Sequence, residues 1–275
     1  MPLKNLFGAF KAQAAAPAEY PLETEEALNR LHGAAPVDEH LRILFQDVRV
    51  GDESFVDLYR RCLGETGTPV TPFNVFHRFQ SRRDLLQYFF ATLHLPGARA
   101  ECGTYRGATA LLLAHAWKSR DPAFGGEGLS LIDSFVGTSE SGEHDLIPVR
   151  GEGGATRREA FFPVAQADIS PELVRGYFSA FPRVGICAGW IPQVFASVPE
   201  QPWSFVHLDV TLYEPTLAAL AYFYPRLTQG GVIVCDGSIF CPGAKKAWDE
   251  FCAKRELPFV VLGNRESILI KTAPA

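Results

Sequence analysis

The spacing of hydrophobic positions along the chain changes near residue 96. Before it, apolar residues recur at helical intervals. The run Val37 to Phe45 is amphipathic, and so is Phe55 to Tyr59. Ser81 is expected to begin a further helix over 82–93, with Asp84 in its first turn and apolar residues at 85, 86, 89, 90 and 93. Pro96-Gly97 breaks that pattern. Residues 1–36, rich in Ala and Pro and weakly patterned, read as a loose lead-in.

After residue 97 short apolar runs alternate with helical stretches. Strands are expected at 98–102, 129–132, 184–188, 204–208 and 232–235. Two more, 259–262 and 267–271, face each other across Gly263-Asn264-Arg265-Glu266, a hairpin-like signal. Pro215 opens a helix that Gly230-Gly231 is expected to stop. Strands separated by helices imply an α/β fold: a mostly parallel sheet covered on both faces, to which the closing hairpin adds an antiparallel strand. The stretch 136–170 breaks the rhythm. It is long, Gly-rich and charged, and reads as an insert or lid, with His144 and Arg157 as its candidates for substrate contact. The expected organisation is a lead-in at 1–36, a helical N-terminal extension at 37–95 and one domain at 96–275.

Composition narrows the class. The chain has 275 residues, 47% hydrophobic and 21% charged, enough for a sizeable core. A net charge of −5 with no basic run argues against a nucleic-acid partner. No 18-residue apolar span is present, so no membrane partner is expected. The apolar run at 6–10 is too short for a signal peptide and Lys11 interrupts it, so a cytoplasmic location is expected. Six cysteines without a C-x-x-C pattern suit buried free thiols in a reducing compartment.

The densest chemistry lies at Glu101-Cys102-Gly103-Thr104-Tyr105-Arg106-Gly107. A strand ends near an acid and turns through two glycines into an apolar helix. The Glu101 carboxylate is expected to meet a cation, and the free N–H groups at the helix start a carboxylate or phosphate. S-adenosylmethionine carries an ammonium, a sulfonium and a carboxylate. One helix and one strand later, Asp133 stands where an acid can accept both hydroxyls of an adenosine ribose. Tyr105 occupies the second glycine position of the dinucleotide fingerprint, which disfavours NAD and FAD. Gly189-Trp190 follows the third strand, and the Trp suits stacking on adenine, lining an entrance, or core packing. Asp209 and Asp236 end two further strands. In an open α/β sheet, ligands bind beyond the carboxyl ends of the strands, so these acids converge on one edge.

These motifs, with Ile132-Asp133-Ser134-Phe135, Gly189-Trp190-Ile191-Pro192, Leu208-Asp209-Val210-Thr211-Leu212-Tyr213-Glu214-Pro215-Thr216, Tyr224-Pro225-Arg226-Leu227 and the run Gly230 to Gly237, resemble the macrocin O-methyltransferase family over roughly 75–258. The resemblance implies a class I methyltransferase: a Rossmann-like, mostly parallel seven-stranded sheet with an antiparallel last strand. It implies S-adenosylmethionine held by Glu101, Gly103, Thr104, Tyr105, Gly107, Asp133, Ser134, Phe135, Gly189, Trp190 and Asp209. It implies transfer to a small-molecule acceptor, a sugar or phenolic hydroxyl in bacterial natural-product biosynthesis. It also implies Mg²⁺ on acids after the fourth and fifth strands, with an acidic base nearby. The chain departs from that pattern twice. Thr211 stands at the second acidic position after the fourth strand, and Gly237 replaces the second Asp after the fifth. Asp209 and Asp236 remain as metal candidates, and they make a weaker Mg²⁺ site. The catalytic candidates are Asp209, Asp236, Thr211 and His207, the last a replacement base or a packed core histidine. The alternatives are a metal-independent methyltransferase on N, S or C, and a lapsed cofactor-binding scaffold protein. The aromatic content of 55–90 permits a homodimer.

Overall fold

The computed structural model describes residues 37–70, 75–150, 156–161, 168–236 and 241–272. The lead-in at 1–36 and the Gly237 departure lie outside them. The chain starts with helix α1 (Val37–Leu44), a small hairpin of β1 (Arg49–Val50) and β2 (Glu53–Ser54), then α2 (Phe55–Thr66) and α3 (Val75–Thr92). The Ser54 hydroxyl caps α2 by accepting from the Asp57 N–H at 3.1 Å. Gly67, at φ 61°, closes that helix.

The α3 helix begins at Val75, well before the start expected at Ser81. Ser81 is not a cap: its hydroxyl bonds back to the Arg78 carbonyl, a pattern that lets serine sit inside a helix. Asp84 is therefore mid-helix, not in a first turn.

The sheet strands follow: β3 (Ala98–Cys102), β4 (Leu129–Asp133), β7 (Gly185–Ala188), β8 (Trp203–Leu208), β9 (Leu227–Cys235), β10 (Val260–Val261) and β11 (Ser267–Ile270). Their order is β10-β11-β9-β8-β3-β4-β7. The β3, β4, β7, β8 and β9 pairings are parallel, and β11 runs antiparallel to β9. The order reverses between β3 and β8, where a crevice opens. Register is aligned across that edge: Cys102 pairs with Leu208 and with Ile132, and Leu208 pairs with Cys235. The residues after these strands therefore emerge side by side.

One face of the sheet carries α2, α3 and α4 (Ala108–Arg120), in a shared core that includes Phe55, Phe79, Leu85, Phe89, Leu112 and Phe205. The other carries α6 (Tyr213–Arg226) and α7 (Pro242–Lys254), packed through Leu220, Phe223, Trp248 and Phe251. Gly230-Gly231 does not stop α6. The helix ends at Arg226, and both glycines lie inside β9, where its pairing with β8 shifts register. The stretch 136–170 holds a hairpin, β5 (Leu146–Arg150) with β6 (Thr156–Ala160), rather than open loop alone. Asp145 anchors it. This buried carboxylate accepts the Gly142 N–H and the Tyr213 N–H, each at 2.8 Å, so the insert is pinned to the α6 N-terminus. A short helix, α5 (Pro171–Tyr177), leads on to β7. All six cysteines are buried free thiols, as composition indicated. Among the described residues no helix is long and apolar enough to cross a membrane.

Gly103 is the tightest point. It sits at φ +83°, and a Cβ there would overlap the Asp209 carbonyl oxygen. Both conditions require glycine. Gly103→Ala is expected to cost about 2 kcal/mol or more, because backbone must move as well as strain. Thermal unfolding would show a lowered midpoint; an unchanged midpoint would disprove the close approach.

Candidate functional site

A cavity of about 480 Å³ opens at the carboxyl ends of β3, β4, β7 and β8. That volume is within the usual range of small-molecule sites. Its lining includes Gly103, Tyr105, Asp133, Ser134, Gly189, Trp190, Asp209 and Thr211. Both ends of the insert contribute as well, through Gly137, Thr138 and Ser139 and through Asp168 and Ile169. His144 and Arg157 are not in the lining: His144 packs edge-on against Tyr213, and Arg157 pairs with Glu159.

The loop after β3 is organised around Asp133. Its Oδ2 accepts the Tyr105 N–H and its Oδ1 the Phe135 N–H, each at 2.8 Å. Each carboxylate oxygen has a second lone pair, so the group can still receive a ligand hydroxyl. Burial raises the Asp133 pKa, and those backbone N–H groups pull against the rise. Tyr105 and Phe135, at φ 50° and 56°, adopt the left-handed turns that aim these N–H groups. Gly107, also left-handed at φ 87°, caps the start of α4, and a Cβ there would crowd the Phe178 ring. Trp190 is 43% exposed and lines the cavity, so it is no core residue.

Four expected cofactor contacts, Glu101, Thr104, Gly107 and Phe135, are not in the cavity lining. Glu101 does not line the cavity. It is 1% exposed, and its Oε1 is 2.8 Å from His207 Nδ1. The reason is strand geometry: Glu101 and His207 are register partners on adjacent parallel strands, so both side chains point to the α3–α4 face. The Glu101 carboxylate thus faces His207 and not the cavity. The Thr104 hydroxyl turns back onto the Glu101 carbonyl, and the Phe135 ring is buried in the core. His207 is fully buried, so it reaches no acceptor in the cavity directly. The structure packs it in the core, off the cavity lining. Burial raises the Glu101 pKa. For His207 burial works against protonation, yet its hydrogen bond to Glu101 raises the pKa. The pair thus holds its proton tightly.

The residue that pairs the two strand-end acids was not among the sequence candidates. Arg82, on α3, is 2% exposed. Its Nη2 is 2.9 Å from Asp209 Oδ2, its Nη1 is 2.8 Å from Asp236 Oδ2, and its Nε donates to Thr109 Oγ1 at 2.9 Å. Glu266, in the turn before β11, lies 3.8 Å from the same guanidinium. Burial would raise the Asp236 pKa, but Arg82 holds it below the ordinary carboxylate range. A signal was present: Arg82 shares a helical face with Leu85, Leu86 and Phe89, and a cation on an apolar face needs a buried partner.

His207, Asp209 and Asp236 bring possible ligand atoms within 4.8 Å of one another. The set does not fit Mg²⁺. Mg²⁺ requires near-octahedral oxygen coordination, whereas this set offers an imidazole engaged by Glu101 and two carboxylates already bridged by a guanidinium. A dication beside Arg82, at about 4–5 Å, would meet a repulsion of roughly 7 kcal/mol at an effective dielectric of 20.

Against this geometry, comparison with known proteins is informative. The profile of the Macrocin-O-methyltransferase (TylF) family matches residues 76–261. The chain belongs to that family. A demethyldecarbamoylnovobiocin O-methyltransferase of Streptomyces niveus is 26% identical over 164 residues, 60% of this chain and 61% of that protein. A tetracenomycin-pathway rhamnosyl 4'-O-methyltransferase of Streptomyces olivaceus is 27% identical over 158 residues, 56% of this chain and 59% of that protein. The chain thus spans about three fifths of the length of the curated relatives it matches. Among solved structures, the O-methyltransferase NovP aligns with a TM-score of 0.55 at 22% identity, over 72% of this chain and 80% of that one. The calicheamicin methyltransferase CalS11 aligns with a TM-score of 0.52 at 20% identity, over 78% and 91%. These likenesses establish the family's class I methyltransferase fold.

Glu266 yields a pH prediction. Burial beside Asp236 pushes its carboxyl up to about 8 from the ordinary 4.5, against the pull of Arg82. The folded state binds that proton more tightly than the unfolded chain. Its stabilising contribution is full below pH 4.5 and is lost as pH rises toward 8. Glu266→Gln, which mimics the protonated form, should match the native chain near pH 4.5 and exceed it by a few kcal/mol above pH 8. Urea unfolding across this range checks it; parallel curves would refute it.

Proposed function

We propose that this protein is an S-adenosylmethionine-dependent O-methyltransferase acting on a sugar or phenolic hydroxyl of a small bacterial natural product. One observation carries the reading: a ligand-sized cavity at the sheet's switch point is lined by Gly103, Asp133, Trp190 and Asp209. Family membership and the O-methyltransferase relatives support it. We further propose that residues 96–275 form the catalytic domain, with 37–95 as a helical extension that completes the acceptor side through Arg82.

When bound, the cofactor supplies a methyl group already activated on a sulfonium. The protein's task is positioning. Asp133, fixed by two backbone N–H groups, is placed to accept the ribose hydroxyls. Tyr105, Arg106 and the Gly103 turn line the part of the cavity next to the α4 N-terminus, which suits the carboxylate of the amino-acid tail. Trp190 presents an aromatic face suited to adenine or to the cavity mouth. Asp209 is one-third exposed on the cavity, with only Oδ2 engaged by Arg82. Among the described residues no hydrogen bond engages Oδ1, which is placed to orient the acceptor hydroxyl. With the cofactor bound, methyl transfer would make the acceptor's hydroxyl proton strongly acidic, and Asp209 or water would take it up.

Calorimetry with S-adenosylhomocysteine tests the donor half. Binding should be detectable in the micromolar range. Asp133→Ala should weaken it by about 10- to 100-fold, the loss of a charge-assisted hydrogen bond. Absence of binding by folded protein at high micromolar ligand would remove the proposal. A methylated product in a panel of sugars and phenols would confirm the transfer.

A further inference from the structure

We infer that the Arg82 guanidinium is a built-in replacement for the divalent cation that the macrocin family pattern implies. It occupies the position between Asp209 and Asp236, the two strand-end acids that such a cation would use. All three kinds of guanidinium nitrogen are engaged: Nη1 by Asp236, Nη2 by Asp209 and Nε by Thr109. The group is 2% exposed, so it is a fixed charge rather than a mobile side chain.

The charge inventory agrees with this placement. A dication wants several carboxylates, and a guanidinium, with one positive charge, is satisfied by fewer. The chain has Thr211 and Gly237 at the two positions where the family pattern has further acids. With acids absent from those positions, the single charge of the buried arginine is matched to the two carboxylates that remain. The fork of the guanidinium also matches the planar carboxylates in a way that a lysine ammonium would not. Arg82 is thus a positioning residue. It fixes Asp209 and Asp236 while its own nitrogens stay inside the protein. Metal chelation would ask the acceptor for two neighbouring oxygens; this arrangement asks for one hydroxyl at Asp209.

Which side of the cavity receives the acceptor rests on the methyltransferase reading, but the position of the cation does not. Mn²⁺ is the probe, followed by electron paramagnetic resonance in the full-length protein, with and without S-adenosylhomocysteine. The native chain should leave the Mn²⁺ signal undiminished up to about 1 mM. Arg82→Ala should free two carboxylates and bind one Mn²⁺, displaceable by Mg²⁺, at least about tenfold more tightly than the native chain. One stoichiometric Mn²⁺ site in the native chain overturns the inference. So does a folded Arg82→Ala protein that gains none. If that variant fails to fold, the native chain still decides: the buried Arg82 Nε–H resonance should persist unbroadened at about 1 mM Mn²⁺, and its bleaching overturns the inference. Failure to bind S-adenosylhomocysteine in the same samples would count against the methyltransferase reading alone.

Discussion

The Arg82 guanidinium is the interaction on which the sheet edge around Asp209 and Asp236 depends. A buried charge is costly unless it is paired and hydrogen-bonded. Here the charge belongs to α3 and its partners to the ends of β8 and β9, the start of α4 and the turn before β11. One side chain therefore ties an N-terminal helix to the carboxyl edge of the sheet. Loss of either partner would leave uncompensated charge in the interior. That asymmetry explains how a helix outside the alternating strand-and-helix region becomes part of the site.

The two halves of the cavity are held by different physics. The donor half is mostly backbone. Gly103 permits a turn that touches the Asp209 carbonyl, and Asp133 gathers N–H groups from two loops. Such a surface is shaped by the glycines and strand ends that sit in it. The acceptor half is built from side-chain charge: Asp209 and Asp236 face Arg82, and the Glu101–His207 pair is buried beneath the same edge. The acceptor half can change its chemistry while the donor half keeps its form. Membership of an O-methyltransferase family is compatible with an acceptor side that departs from the family pattern in this way.

The insert shows a related division of labour. Its ends line the cavity, whereas its hairpin is anchored outward through Asp145 to the α6 N-terminus. A carboxylate at a helix start satisfies N–H groups that lack partners within the helix. The anchor places Gly137 and Thr138 on one side of the cavity mouth and leaves the hairpin strands half-buried to exposed, away from it. The cavity is thus assembled from segments far apart in the chain.

The sequence by itself determined the elements and the edge. Short apolar runs between helical stretches identified the seven strands, and strand-terminal residues are bound to emerge at one edge once the sheet is parallel, which is why Asp133, Trp190 and Asp209 were legible as cavity residues. Boundaries were less legible where polar or glycine residues serve inside an element, as Ser81 does in α3 and Gly230-Gly231 do in β9. Only the tertiary structure decided where side chains point and what they meet. Glu101 is one residue short of the strand end, so the pleat turns it from the cavity onto His207. Arg82 and Asp236 are 154 residues apart, and no local pattern records a pairing across that distance. Periodicity is a property of neighbours along the chain; charge compensation in the interior depends on packing, and packing exists only in the folded protein.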